Sequence, residues 1–280
     1  MIQALVFVVL AGYARPELLV ETDWVEAHLH DPDLRLVDTR TKGFEENHLP
    51  GAVHLDIAAS RDKNNPPTYL PDLDGFVATL ERLGISNETR IVFYDDRGGI
   101  YGTRPWVVLQ LIGHTNAAIL NGGWTKWTKE QRPVTRETPA LEPGKIDVVR
   151  NDRWIATSED VLKAIARDDR RIIDTRAPDE VSGKDLRNNP RGGAIPSSTP
   201  LDWVETLEGE LRTFRPASEL EALFDRRLAL SPKEEIITYC QGGGRAAHEL
   251  FVLYLMGYDH VRLYLGSMED WSRHEELPLR

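Results

Sequence analysis

One residue of this chain is equipped for nucleophilic chemistry, the single cysteine, Cys240. Residues 236–239 before it are β-branched or aromatic and predict a buried strand, and the apolar residues 246–256 after it predict a helix. Three glycines and Arg245 lie between them. Glycines let successive backbone N–H groups converge on one point, and a helix N-terminus carries the positive end of the helix dipole. Both features favour a thiolate, so the pattern predicts a reactive cysteine rather than an inert buried one.

A thiolate in such a loop is suited to sulfur transfer. It is soft and nucleophilic and can later act as a leaving group, so it can carry a sulfur atom as a persulfide. The backbone N–H groups of residues 241–246 can stabilise the negative charge that develops. Two roles are open for Arg245: its guanidinium can bind an anionic substrate, or it can hold the loop by donating to backbone carbonyls. His248, one turn into the helix, is interpreted as a helix-face residue rather than a general base.

The two halves of the chain carry matching blocks in the same order. Leu-Val-Asp-Thr-Arg at 36–40 recurs as Ile-Ile-Asp-Thr-Arg at 172–176, and residues 91–99 match residues 236–244. The pattern indicates a duplication. Both copies of the first block contain an Asp and an Arg two residues apart. Because the half of the chain without a cysteine also keeps this pair, we interpret each pair as a structural ion pair.

The duplication predicts two domains, at residues 13–140 and 152–280. A polar linker that contains Pro143-Gly144 separates them. Asp95 stands in the first half where the second half has Cys240, so thiol chemistry is confined to the second domain.

Each half alternates strand-like and helix-like segments, which is typical of a parallel sheet covered by helices on both faces. The chain is therefore predicted to be an α/β protein. The predicted strands are residues 34–37, 90–94, 117–120, 171–173, 235–239 and 260–264, and the predicted helices are 22–30, 75–83, 104–112, 157–167, 216–224 and 245–256.

The composition excludes several classes of partner. A formal net charge of −11 argues against nucleic acid and against an acidic membrane surface. A single cysteine excludes an intramolecular disulfide, and the sequence lacks a Cys/His cluster with the spacing of metal ligands. We expect no metal or other cofactor and a cytoplasmic location. The apolar residues 1–12 leave export by a signal peptide as the alternative, although no Lys or Arg precedes them.

The loop from Cys240 to Arg245 resembles the active-site loop of the rhodanese family of sulfurtransferases. From about residue 13 onward the chain resembles the tandem form of that family, in segments such as 15–24, 48–53 and 120–124. The resemblance implies two tandem rhodanese-like domains, of which the first is catalytically silent. It also implies that a small anionic donor, thiosulfate, gives its sulfane sulfur to Cys240, which passes it to cyanide or a thiol acceptor.

The resemblance further assigns candidate site residues. Catalysis falls to Cys240, and substrate binding to residues of its loop and of the loop at 182–196. The candidate substrate-binding residues are Gln241, Gly242, Gly243, Gly244, Arg245, Arg187 and Arg191. Ile100 and Tyr101 match an apolar wall that faces the active cysteine from the first domain. Glu180 is a departure, because animal members of the family carry an arginine there.

Three alternatives remain open. The loop matches neither the thiosulfate-specific nor the mercaptopyruvate-specific loops of animal enzymes, so 3-mercaptopyruvate is the alternative donor, although bacterial thiosulfate sulfurtransferases resemble the loop more. A phosphatase of the Cdc25 type is disfavoured, because its loop between Cys and Arg is one residue longer. A non-catalytic rhodanese-like binding module is disfavoured by the retained cysteine and glycines.

Overall fold

The computed structural model describes residues 12–167, 169–231 and 233–280. The elements of the first half are β1 (Leu19–Val20), α1 (Thr22–Ala27), β2 (Leu34–Asp38), β3 (Val53–His54), α2 (Leu73–Arg82), β4 (Arg90–Tyr94), α3 (Ile100–Leu111), β5 (Ala117–Leu120) and α4 (Gly123–Lys129). The strands form a parallel sheet in the order β1-β5-β4-β2-β3. Residues 1–11, on which the alternative of an export signal depends, lie outside the described residues.

The second half repeats this arrangement. Its elements are β6 (Ile155–Ala156), α5 (Ser158–Ile165), β7 (Arg170–Asp174), α6 (Pro178–Val181), β8 (Ser198–Pro200), β9 (Leu207–Glu208), β10 (Thr213–Phe214), α7 (Ala217–Arg227), β11 (Glu235–Tyr239), α8 (Gly244–Leu255), β12 (Val261–Tyr264) and α9 (Ser267–Trp271). The order β6-β12-β11-β7-β8 is that of the first sheet, and the pairs are again parallel. The antiparallel hairpin of β9 and β10 was not predicted.

Both faces of each sheet are covered, as the near-continuous apolar strands predict. In β4, the side chains of Val92 and Phe93 belong to different hydrophobic clusters, because successive residues of a strand point to opposite faces. Ile236 and Ile237 divide in the same way in β11. The predicted α/β architecture, with a mainly parallel sheet covered on both faces in each half, is therefore confirmed.

One of these hydrophobic clusters extends through both halves. Helix α3 packs against α8, where Trp106 meets Phe251 edge to face with ring centroids 5.1 Å apart. The β9–β10 hairpin reaches the first half, and the backbone N–H of Phe214 donates to Asn121 Oδ1 over 2.9 Å. The halves therefore meet through a shared apolar core, which brings residues of the first half close to the loop of Cys240.

The two Asp-x-Arg pairs are buried ion pairs that brace the ends of β2 and β7. Arg40 lies 2.6 Å from Asp38, and Arg176 lies 2.6 Å from Asp174. Each guanidinium also donates to backbone carbonyls, including that of Asn47 in the first half. These contacts agree with the interpretation of each Asp and Arg as a structural ion pair.

His248 lies on the buried face of α8, which agrees with its interpretation as a helix-face residue. It is fully buried, stacks on Phe214, and its Nε2 lies 2.9 Å from Thr206 Oγ1. Burial lowers the pKa of His248 to about 3, so the ring is neutral at neutral pH. Trp127 and Trp271, which occupy matching positions of the two halves, are fully buried.

Within the residues that the structure describes, no helix combines the length and the apolar character needed to cross a membrane.

Candidate active site

Cys240 lies between the carboxyl end of β11 and the start of α8, and it is 1% exposed. Gly243, the residue before α8, has a left-handed φ of +88°. A side-chain carbon at Gly243 would come within 2.4 Å of a Leu265 methyl group, so this position requires glycine. The backbone N–H of Gly243 donates to Cys240 Sγ over 3.1 Å. The loop thus supplies a backbone donor to the sulfur, and Gly244 begins the helix whose positive end faces the loop.

Helix α9 supports this loop from the other side. The backbone N–H of Met268 donates to the carbonyl of Cys240 over 3.0 Å, and that of Glu269 donates to the carbonyl of Gln241 over 2.9 Å. Ser267 Oγ accepts from the N–H of Cys240 over 3.1 Å. These bonds satisfy the carbonyls of Cys240 and Gln241 and the N–H of Cys240, so they hold the loop in its conformation without a substrate.

The corresponding loop of the first half shows that this fold cradles an anion. The carboxylate of Asp95 accepts backbone N–H bonds from Arg97, Gly99, Tyr101 and Gly102, at 2.7–3.3 Å. Burial raises the pKa of Asp95, and the four N–H donors oppose that shift. The first half therefore keeps the cradle and fills it with a fixed carboxylate in place of the thiol.

Two of the predicted substrate-binding residues, Gln241 and Gly242, lie against other segments of the chain. The side-chain amides of Gln241 and Asn189 donate to each other's oxygens, both over 2.8 Å, so Gln241 ties the loop to the segment 182–196. A side-chain carbon on Gly242 would lie 3.2 Å from Glu269 Oε2 and 3.7 Å from Arg61 Nη1. Gly242 is thus the point where the first domain approaches the loop.

Arg245 pairs with Glu180, a partner that neither sequence interpretation named. Its Nη1 and Nη2 donate to the two carboxylate oxygens over 2.5 and 2.8 Å, and Glu180 is almost fully buried. Burial opposes the charge of Arg245, but Glu180 and the Cys240 thiolate outweigh it and raise the pKa of Arg245. Burial likewise opposes the charge of Glu180, whose pKa is nevertheless lowered by Arg245 and more weakly by Arg187. The loop arginine is therefore held by a carboxylate and not by backbone carbonyls.

Arg191 and Arg187 have different surroundings. The guanidinium of Arg191 donates to the backbone carbonyls of Trp271, Ser272, His274 and Leu277, at 2.5–3.0 Å. These bonds use all three nitrogens to hold the C-terminal segment, and substrate binding by Arg191 stays a prediction. Arg187 is exposed, and its charge contributes to the lowered pKa of Glu180, which pairs with Arg245 of the loop. Of the two, Arg187 is the more exposed.

Two arginines of the first domain that the sequence did not reveal lie near the active loop. Arg61 follows the short helix at Ile57–Ser60, and Arg104 lies in α3. Burial and then the charge of Arg61 lower the pKa of Arg104 to about 10, while the Cys240 thiolate opposes the shift. Both cations therefore lie within electrostatic reach of the active loop. Their placement across a domain interface left no local sequence pattern that could reveal them.

Ile100 and Tyr101 begin α3, the helix that packs against α8. Both are partly buried, and Ile100 packs on the shared core. The apolar wall facing Cys240 stays a prediction. In the described part of the chain, no group of three or more His, Cys, Asp or Glu side chains is arranged to hold a metal ion.

Comparison with known proteins agrees with this arrangement. The model of the rhodanese-like domain matches residues 21–130 and again residues 157–274. The chain belongs to the rhodanese family and consists of two copies of its domain.

The relatives are sulfur-handling proteins. The chain is 35% identical to the sulfur carrier protein TtuD of Thermus thermophilus, over 96% of this chain and 98% of the relative. It is 33% identical to a thiosulfate sulfurtransferase of Corynebacterium glutamicum, over 95% of this chain and 91% of the relative. The crystal structure of SseA from Escherichia coli, described as a 3-mercaptopyruvate sulfotransferase, superposes with a TM-score of 0.78 and 26% identity, covering 89% of this chain and 98% of SseA. The chain is accordingly a sulfurtransferase of the rhodanese family, which acts with a sulfur donor and an acceptor.

Proposed function

We propose that this protein moves the sulfane sulfur of thiosulfate to cyanide or a thiol acceptor through a persulfide on Cys240. The observation that carries the proposal is the bond from the Gly243 N–H to Cys240 Sγ, in a loop that begins a helix. A backbone donor on the sulfur favours the thiolate and, after transfer, the persulfide.

The reaction has two displacement steps. The Cys240 thiolate attacks the outer sulfur of thiosulfate, a new S–S bond forms, and the old S–S bond breaks as sulfite leaves with its electron pair. An acceptor, cyanide carbon or thiolate sulfur, then attacks the outer sulfur of the persulfide. The Cys240–sulfur bond breaks, Cys240 leaves as a thiolate, and the products are sulfite with thiocyanate or with a persulfide of the acceptor.

The loop residues have distinct roles in this scheme. The backbone N–H groups of Gln241, Gly242, Gly243 and Gly244 stabilise the charge on the transferred sulfur. Arg245 holds the loop to Glu180 and adds positive potential, and Arg187 attracts the donor from the exposed side. A cytoplasmic location stays a prediction from the cysteine content and charge.

3-Mercaptopyruvate is the second candidate donor. The superposition with SseA favours it, whereas the sequence relationship to the Corynebacterium enzyme favours thiosulfate. Both donors are small anions with a transferable sulfur, so the site suits either. The phosphatase alternative is disfavoured by the loop, in which four residues separate Cys240 from Arg245.

Steady-state kinetics with each donor and with cyanide as acceptor test the proposal, with thiocyanate as the product measured. We expect a higher kcat/KM for thiosulfate than for 3-mercaptopyruvate, and no turnover of either by a folded Cys240→Ser variant. A higher kcat/KM for 3-mercaptopyruvate would replace the donor but keep the mechanism. Sulfur transfer by Cys240→Ser would refute the mechanism.

A further inference from the structure

Arg61 of the silent domain lies against the active-site loop of the other domain. Its Nη1 donates to Glu269 Oε2 over 2.9 Å, and the backbone N–H of Glu269 holds the carbonyl of Gln241. The guanidinium carbon would lie 3.8 Å from a side-chain carbon on Gly242, two residues after Cys240. A cation from the domain without a nucleophile therefore borders the nucleophile's loop.

The guanidinium of Arg61 is buried and incompletely bonded. Its side chain is 5% exposed, and its Nε and Nη2 have no hydrogen-bond partner among the described residues. Buried donors on a charged group are strongly unfavourable when they are left unpaired. Two free N–H positions on one planar group match the spacing of two oxygens of a sulfonate or carboxylate.

The neighbouring arginines do not present free donors in this way. Arg104 donates from Nε to Ser60 Oγ and from Nη2 to the carbonyl of Ile57, so it positions the segment that precedes Arg61. Arg245 directs both of its terminal nitrogens to Glu180. Among these three arginines, only Arg61 has two adjacent nitrogens that are buried and unpaired within the described part of the chain.

We propose that Arg61 binds the anionic group of the sulfur donor, the sulfonate of thiosulfate or the carboxylate of 3-mercaptopyruvate. The proposal rests on the proposed function insofar as the donor is a small anion delivered to Cys240. It assigns the silent domain a part in substrate binding, because its arginine completes a site whose nucleophile belongs to the other domain.

A structural role is the competing explanation, in which Arg61 serves only to pair with Glu269 across the interface. Two variants separate the explanations. Arg61→Gln removes the guanidinium and the ion pair, whereas Glu269→Gln removes the ion pair and keeps the guanidinium. Arg90→Gln is the matched control. Arg90 is also an arginine of the first domain with an unpaired buried Nε, but it lies at the amino end of the central strand β4, whereas the loop of Cys240 follows the carboxyl end of β11.

The first readout is steady-state kinetics with thiosulfate. Loss of a charge-assisted contact to the donor is expected to raise KM roughly ten- to a hundred-fold in Arg61→Gln, with a smaller change in kcat. Glu269→Gln is expected to leave KM unchanged or to lower it, because it removes a negative charge from the site. Arg90→Gln is expected to behave as the wild type. The same measurements with 3-mercaptopyruvate show whether the sulfonate or the carboxylate is the anion bound.

The second readout does not depend on sulfur transfer. Because Cys240 is the only cysteine, its alkylation rates by iodoacetate, an anion, and by neutral iodoacetamide can be measured without interference. Both reagents require the thiolate, so their rate ratio reports the attraction of the site for an anion. We expect Arg61→Gln to lower the iodoacetate-to-iodoacetamide ratio about tenfold, and Arg90→Gln to leave it unchanged.

The outcomes are distinguishable. An unchanged rate ratio in Arg61→Gln overturns the role of Arg61 whether or not the enzyme uses thiosulfate. Equal rises of KM in Arg61→Gln and Glu269→Gln also overturn it, because the ion pair alone then explains the effect. A wild-type protein that turns over neither donor refutes the proposed function, and the alkylation ratio still decides whether Arg61 attracts an anion.

Discussion

Arg245 and Glu180 form a two-point ion pair, with Nη1 and Nη2 of the arginine 2.5 and 2.8 Å from the two carboxylate oxygens. The pair joins the first turn of α8 to α6, elements that are far apart in sequence. It also gives a role to Glu180, the position at which this chain departs from animal members of the family. The arginine of the active loop therefore supports the loop's shape and contributes charge from a fixed position.

Removing Arg245 is expected to lower stability as well as activity. Arg245→Ala leaves the buried carboxylate of Glu180 unpaired, and the free energy of unfolding should fall by about 2–4 kcal/mol. Activity should fall towards every donor, because the loop is shared by all of them. Urea denaturation and kinetics with both donors measure these effects. The double variant Arg245→Ala/Glu180→Ala should regain part of the stability, and a stable Arg245→Ala variant that loses only thiosulfate affinity would contradict the structural role.

Arg191 and Arg187 should behave oppositely. Arg191→Ala removes donors from four backbone carbonyls, so we expect a loss of about 1–3 kcal/mol in stability with KM nearly unchanged. Arg187→Ala should leave the melting temperature unchanged and raise KM for thiosulfate a few-fold, since an exposed cation acts through screened attraction. Melting curves and kinetics at low and high salt measure both. A rise in KM in Arg191→Ala without loss of stability would show that Arg191 binds substrate after all.

Asp95 should be important for folding and unimportant for chemistry. Asp95→Ala leaves four backbone N–H groups, two of them buried and two partly buried, without an acceptor, and the free energy of unfolding is expected to fall by about 2–4 kcal/mol. Turnover by the folded variant should stay within a few-fold of the wild type. Denaturation and kinetics below the melting temperature test this, with Asp96→Ala, an exposed neighbour, as the control. A loss of turnover as severe as that of Cys240→Ser would mean that the first domain is not silent.

Glu249 predicts a pH dependence of stability. It is fully buried in α8, and neither carboxylate oxygen has a hydrogen-bond partner among the described residues. Burial, followed by the charge of Glu205, raises the pKa of Glu249 to about 8. In the unfolded chain the pKa is about 4.3, so the folded protein keeps a proton that the unfolded chain releases. The retained proton of Glu249 therefore adds to the free energy of unfolding in full below about pH 4, and this stabilisation is lost as the pH rises to about 8.

Glu249→Gln removes this titration. Relative to the wild type, the variant is expected to gain about 1–3 kcal/mol of stability between pH 5 and pH 8.5. Urea denaturation of both proteins at each pH measures the difference. The neighbouring His248, whose pKa is lowered by burial, titrates in both proteins and cancels in the comparison. A difference that does not change with pH would contradict a protonated Glu249 at neutral pH.

The duplicated blocks were sufficient to predict the architecture, because strands such as residues 90–94 and 235–239 are mainly apolar after their first residue and alternate with helix-like segments. The short strands β1, β3, β6 and β8 were missed, since two or three residues leave no periodicity to detect. The backbone cradle around Cys240 could be predicted because consecutive residues of one loop, with their glycines, form it.

The side-chain partners could not be predicted in the same way. Arg245 was expected to meet substrate or backbone, and the structure pairs it with Glu180, 65 residues away. Arg61 lies in an irregular segment of the other domain, and only the packing of α3 against α8 brings that segment to the loop. Long-range polar contacts of this kind depend on the assembled fold and have no signature in local sequence.

The most direct test of the account is the mass of the intact protein after incubation with thiosulfate and removal of the excess. With one cysteine in the chain, any added sulfur can be assigned to a single residue. We predict a gain of one sulfur atom, its loss when cyanide is added with release of thiocyanate, and no gain in Cys240→Ser. An unmodified wild-type protein, or a sulfur gained by the Cys240→Ser variant, would contradict the persulfide mechanism.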